Sequence, residues 1–195
     1  MVADLLPSGA TPIDPDEADD LIPDHIVTRA ELNEWEQVNI IEGVRWIRGR
    51  KDVEFLLTVH CIKELHKKMF SKTWKWAGRL RWTMKNIGVH PEAIIEETEK
   101  LLADTKFWIE NRTYVPDELG ARFHHRLVFI HLFANGNGRH ARLLTDALMN
   151  AMGVRRFTWG AGSIDDAGAV RDAYISALRA ADGGDYAALL NFVRS

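Results

Sequence analysis

Apolar residues at Val53, Leu56, Leu57, Val59, Ile62, Leu65, Met69 and Phe70 recur every three to four positions, which predicts one continuous helix over that stretch. Upstream, Thr28-Arg29-Ala30-Glu31 has the order of a capping box, so a helix should start there and run to about Arg48. Pro91 opens a third, carrying Ile94, Ile95, Leu101, Leu102 and Trp108 to about Asn111, and Pro116 opens a fourth that ends at His131. A fifth spans Arg139 to Met152. Ser163 should cap the next helix and Asp185 a short last one. Residues 72–89, KTWKWAGRLRWTMKNIGV, break the pattern: aromatic and β-branched residues are punctuated by Gly78 and Gly88, which predicts a hairpin or extended flap. Residues 1–27 hold Pro7, Pro12, Pro15 and Pro23 among small and acidic residues, and read as an extended or partly disordered arm. The sum is an all-α domain over 28–195 with one short β element.

Composition changes this little. At 195 residues with 46% apolar and 27% charged positions, the chain fits one globular domain. The net charge of −3 is concentrated at the start, where Asp4, Asp14, Asp16, Glu17, Asp19, Asp20 and Asp24 precede any Lys or Arg. The remainder is too mildly basic to suggest a nucleic-acid surface. Cys61 is the single cysteine and sits in an apolar helical pattern, so a buried thiol in a reducing, cytoplasmic setting is expected. No stretch has the length of a membrane span, and the acidic start lacks the order of a signal peptide.

The chemistry lies in residues 131–142, HLFANGNGRHAR. Gly136 and Gly138 flank Asn137, freeing the backbone to bring amides close to a ligand, and the following helix offers its N-terminal amides to the same point. Arg139 and Arg142 are three apart and share a helix face, against the helix dipole, so an anion is expected between them. His131 stands beside the loop as a base candidate. Taken alone, Gly-Asn-Gly is an ordinary turn; with a base and two cations ordered around it, a phosphate site explains more. His124 and His125 lack the HExxH or cysteine context of a zinc site. They read as packing or surface residues, as do His60, His66 and His90, while Trp74 and Trp76 read as core.

This stretch resembles the Fic family motif H-x-F-x-[D/E]-G-N-G-R-x-x-R, through His131, Phe133, Gly136, Asn137, Gly138, Arg139 and Arg142. LHKKMF, WKWAGRLR, FHHRLVFIH and YISALRAADGGDYAALLNF extend the likeness across most of residues 30–192, and the overall pattern is most similar to the group called mobile mystery protein B. The resemblance implies a Fic-type helical bundle with a β-hairpin flap, and a protein adenylyltransferase that moves AMP from ATP to a Ser, Thr or Tyr hydroxyl of a target protein. His131 would be the base. Gly136, Asn137, Gly138, Arg139 and Arg142 would hold phosphates, a buried Phe133 would pin the loop, and Mg²⁺ would be the cofactor. Asn135 stands where the family has its metal-binding acid, a departure that puts the metal in question. Residues Thr83, Met84, Lys85, Asn86, Ile87 and Gly88 would form the target-docking flap by strand addition. The family's inhibitory pattern [S/T]-x-x-x-E-[G/N] is matched in part by VNIIEG, residues 38–43, with Val38 at the hydroxyl position; Glu42 would pair with Arg142. Alternatives are transfer of UMP, phosphocholine or a terminal phosphate, removal of AMP, or a nucleotide-binding module in a toxin–antitoxin-like pair with a separately encoded regulatory partner. No contact with nucleic acid or membrane is expected.

Overall fold

A computed structural model describes residues 18–161 and 167–195. Over these the chain forms eight α-helices: α1 (Arg29–Ile47), α2 (Val53–Leu56), α3 (Val59–Phe70), α4 (Ile94–Glu110, entered through a 3-10 turn at Pro91–Ala93), α5 (Pro116–Ile130), α6 (Asn137–Ala151), α7 (Ala167–Asp182) and α8 (Ala187–Arg194). The arm's residues 1–17 and the Ser163 cap lie outside the described residues.

Local chemistry fixes the helix starts. Thr28 Oγ1 accepts from Glu31 N at 3.2 Å while Glu31 Oε2 accepts from Thr28 N at 2.9 Å, completing the capping box. The single helix expected over 53–70 is two, because Thr58 interrupts it. Its hydroxyl donates to Phe55 O at 2.8 Å and accepts from Cys61 N at 3.1 Å, ending α2 and starting α3. Asp185 serves the last helix from one position before the N-cap, accepting from Ala187 N at 2.9 Å.

The hairpin is absent. Among the described residues the isolated bridge between Leu21 and Trp74 is the sole β pairing, flanked by Ile22 N to Thr73 O and Lys75 N to Asp20 O. The two arms of residues 81–89 do not pair with each other, since both reach for the turn after α5: Arg81 N donates to Leu132 O at 2.9 Å and Val89 N to Ile130 O at 3.4 Å. The Arg81 guanidinium, buried to 4% exposure, fills the space between them. Aromatic and β-branched content predicts an extended backbone, but a ladder needs donors that this segment spends elsewhere.

α5 runs through the middle, packed on α4 and α6, while α1 lies on α3 and α7 on α8. The main core holds Leu56, Ile62, Leu65, Phe70, Phe123, Leu127, Ile130 and Leu144, and a smaller one joins Met149, Phe157, Ala177, Leu189 and Val193. Trp74 and Trp76 are buried and stacked, with ring centroids 5.0 Å apart, and Cys61 is fully buried. Gly43 lets α1 approach α3: a Cβ there would stand 2.4 Å from Met69 Cγ, inside contact distance. The glycine of the Glu42-Gly43 pair is thereby explained by packing.

Candidate functional site

The site is the turn between α5 and α6. His131 caps α5 in the left-handed region, φ 56° and ψ 63°, which turns the chain sharply into the loop. Five residues later the chain turns again at Gly136, φ 78°. A Cβ there would lie 2.7 Å from the Phe70 ring, so glycine is required both by conformation and by space. α6 starts immediately afterwards, and the amides of Asn137, Gly138 and Arg139 have no main-chain partner among the described residues. Free amides at a helix N-terminus are suited to receiving an anion.

Phe133 holds the loop from inside. It is fully buried, as expected, and stacked on His66 with centroids 3.7 Å apart, and His140 meets its edge. His66 ties two segments together: Nδ1 accepts from Gly78 N at 2.9 Å, leaving Nε2 to donate to Asn135 O at 3.1 Å. That network assigns one neutral tautomer, and burial keeps the ring's pKa well below its usual value. His140 donates to Ile62 O at 3.0 Å, and burial lowers it to about 4. His124 is buried against Tyr174 and lowered to about 3 by burial, and His125 lies between Asp182 and Tyr186. All four are structural. Among the described residues no group of three or more His, Cys, Asp or Glu could hold a metal ion.

Two of the expected phosphate contacts have other partners. The Asn137 side chain is buried, its Oδ1 accepting from Phe133 N at 2.9 Å and its Nδ2 donating to Phe133 O at 2.8 Å. The Asn137 side chain therefore shapes the loop, and only its main-chain amide is left to meet a ligand. The Gly136 amide donates to Asn135 Oδ1 at 2.6 Å, which turns that oxygen toward the protein. With an amide in place of a carboxylate, and its oxygen used, the Asn135 position does not fit a protein-held Mg²⁺.

His131 is 4% exposed, and its pKa is lowered to about 4, chiefly by burial and then by the Arg81 charge. The imidazole is neutral at physiological pH, with a lone pair able to take a proton. Arg81 is the residue that motif reading missed. Its Nε donates to His131 O at 2.6 Å and NH1 to Thr83 O at 2.8 Å, while NH2 reaches Val89 O and, at 3.4 Å, Ile130 O. One guanidinium thus binds the His131 backbone to both arms of the 83–88 segment. At the tip of that segment Met84 and Ile87 are exposed, beside Trp82 at 72%.

The cations are treated unequally. Arg139 NH1 donates to Glu36 Oε2 at 2.6 Å, and the other Glu36 oxygen accepts from Trp74 Nε1 at 2.7 Å. Glu36 is 4% exposed, a carboxylate supplied by α1 to the motif. Arg142 lies over the Tyr174 ring and makes no ion pair among the described residues, although its charge is felt by the Asp146 carboxylate. Glu42 is elsewhere, paired on the surface with Lys72. The expected Glu42–Arg142 pair is replaced by Glu36 and Arg139, because the inward stripe of α1 runs through Leu32, Glu36, Asn39, Gly43 and Ile47.

Residues 56–149 match the model of the Fic/DOC family. The chain is 33% identical over 101 residues to "Protein adenylyltransferase Fic" of Nematostella vectensis, covering 50% of this chain and 24% of that one. It is also 33% identical over 105 residues to "Protein adenylyltransferase fic-1" of Caenorhabditis elegans, covering 50% and 20%. The chain thus spans about a quarter or less of these relatives' length. Among solved structures, Fic-1 from C. elegans superposes with a TM-score of 0.69 at 24% identity, over 91% of this chain and 51% of that one. BepC from Bartonella tribocorum, solved with bound AMPPNP, gives 0.65 at 18% over 92% and 96%. The narrower likeness to mobile mystery protein B finds no support in these comparisons.

Proposed function

We propose that this chain, whose residues 56–149 match the model of the Fic/DOC family, is a protein adenylyltransferase held in a restrained state by its own α1. The observation that carries the reading is the juxtaposition of a neutral His131 with the unpartnered first-turn amides of α6 and the Arg139 and Arg142 side chains. In the proposed reaction, a target hydroxyl attacks the α-phosphorus of ATP in line. His131 takes its proton, a phosphoester forms, the α–β bond breaks, and pyrophosphate leaves. The α6 amides hold phosphate oxygens, and Arg142 and Arg139 balance charge on the departing groups. Positioning and charge stabilisation supply the acceleration, as is usual for phosphoryl-group chemistry. No step is assigned to Mg²⁺, because the residue at Asn135 does not fit it.

The target segment docks at residues 83–88. Strand addition along a paired hairpin edge is replaced here by docking on an arginine-centred loop, with the Trp82, Met84 and Ile87 side chains as apolar anchors. Restraint comes from Glu36, which neutralises Arg139 from within the core.

Incubation of the purified chain with α-³²P-ATP and a lysate, with Mg²⁺ supplied, tests the reading. Label on protein, lost in His131→Ala, is the expected result. Nucleotide binding without label, in the parent and in Glu36→Gln alike, would favour the binding-module reading to which Asn135 points.

A further inference from the structure

The outer face of α1 has a pattern that the fold does not use. Leu32, Glu36, Asn39, Gly43 and Ile47 face inward, yet a second stripe at Glu34, Val38, Ile41 and Arg45 is exposed, with Val38 at 65% and Ile41 at 47% exposure. Its spacing of i, i+4, i+7 and i+11 is that of a coiled-coil seam. Trp35 and Val44, each 37% exposed, flank it on opposite shoulders. Among the described residues neither Glu34 nor Arg45 has an ion-pair partner. Isolated surface apolar residues are ordinary; what this seam adds is an apolar pair bracketed by opposite charges that make no ion pair among the described residues.

We propose that this face pairs with the same face of a second copy, as an antiparallel two-fold α1–α1 contact. The charge order selects that occupant. In an isologous antiparallel pair, the residues that meet are equidistant from the two-fold axis. With the axis between Asn39 and Ile40, Val38 meets the other copy's Ile41, and Glu34 meets its Arg45, in both halves of the contact. One register satisfies every position of the seam at once. A parallel pair would set Glu34 against Glu34 and Arg45 against Arg45, opposing like charges twice.

The contact bears on α1 itself, whose opposite face places Glu36 on Arg139. Bracing the outer face favours the conformation in which that pair is made. The dimer's existence, however, does not depend on the proposed adenylyl transfer, and its test requires no activity.

Sedimentation equilibrium on the purified chain reads the contact directly, with circular dichroism to confirm that each variant is folded. The parent is expected to dimerise. Glu34→Arg alone and Arg45→Glu alone each place like charges together twice, and should weaken the dimer by about tenfold or more. The double variant should restore it. Mixing the two single variants should give a heterodimer in native mass spectrometry, since all charge contacts then become complementary. A parent that stays monomeric to high concentration, single reversals that leave the dimer intact, or a mixture without heterodimer would each overturn the proposal.

Discussion

Arg81 Nε donates to the His131 main-chain oxygen at 2.6 Å, across fifty residues of sequence. That bond fixes the left-handed turn carrying the proposed base, and the same guanidinium grips the segment proposed to dock the target. Arg81 thus acts through His131 as a positioning residue. Arg81→Met leaves four carbonyl contacts unmet and removes a cation that disfavours protonated His131. Transfer should fall by roughly two orders of magnitude, the scale of a small misplacement, with ATP affinity retained. The His131 pKa, followed by NMR, should rise. A fall in activity with an unmoved His131 titration would argue against this coupling.

His131→Ala should cost about two to four orders of magnitude in transfer, the range for a positioned base, while nucleotide binding by calorimetry stays close to that of the parent. Since the His131 pKa is lowered to about 4, the base is neutral above that value and is lost by protonation as pH falls through it. The acid limb of the free protein's rate profile should therefore lie well below 6.5. An acid limb near the ordinary histidine value would show that His131 titrates in a more open site.

Stability should follow the same groups. His66, His124, His131 and His140 are buried and neutral, with folded pKa values below the usual 6.5. The unfolded chain binds protons that the folded chain refuses, so each favours folding fully above pH 6.5. That contribution is lost as pH falls below 6.5 toward each folded value, about 4 for His131 and His140 and about 3 for His124, at up to about 1.4 kcal/mol per pH unit each. Thermal unfolding between pH 7 and pH 4.5 should show a steep fall in Tm. Replacing His140, which donates one bond to Ile62 O, by Gln should flatten that dependence.

Asn135→Asp should lower the Mg²⁺ concentration needed for half-maximal labelling, because a carboxylate is a far better magnesium ligand than an amide oxygen already accepting from Gly136 N. Magnesium titrations of the two proteins compare this directly. Identical curves would place the metal entirely on the nucleotide.

What was legible in the sequence was local. The capping box at Thr28, the proline helix starts and the loop from His131 to Arg142 all lie within a few residues of their own signals. Apart from the break at Thr58, the misses have partners far along the chain. Glu36 and Arg139 are 103 positions apart, and His66 and Asn135 are 69 apart; no periodicity announces either contact. Residues 72–89 had the composition of a hairpin, but an arginine mid-segment could not be read as a hub without knowing that the α5 turn lay beneath it. The family motif implies Asn137 at the ligand, while its side-chain bonds, to Phe133, are set by loop geometry.

Glu36 is where restraint should be tested. α1 presents its carboxylate in the core, between Trp74 and Arg139. A triphosphate approaching the α6 N-terminus must compete with it for the first arginine of the motif. Glu36→Gln keeps an oxygen for the Trp74 indole and removes the charge, so Arg139 is freed with little change in packing. ATP affinity and protein labelling should both rise several-fold, and Tm should fall modestly because a half-buried guanidinium loses its counter-ion. Glu42→Gly serves as the contrast. Its carboxylate is half-exposed and bound to Lys72, so it should leave affinity and labelling unchanged while costing about 1 kcal/mol in helix propensity. If Glu42→Gly activates and Glu36→Gln does not, the carboxylate that restrains the site is not the one that α1 presents in this structure.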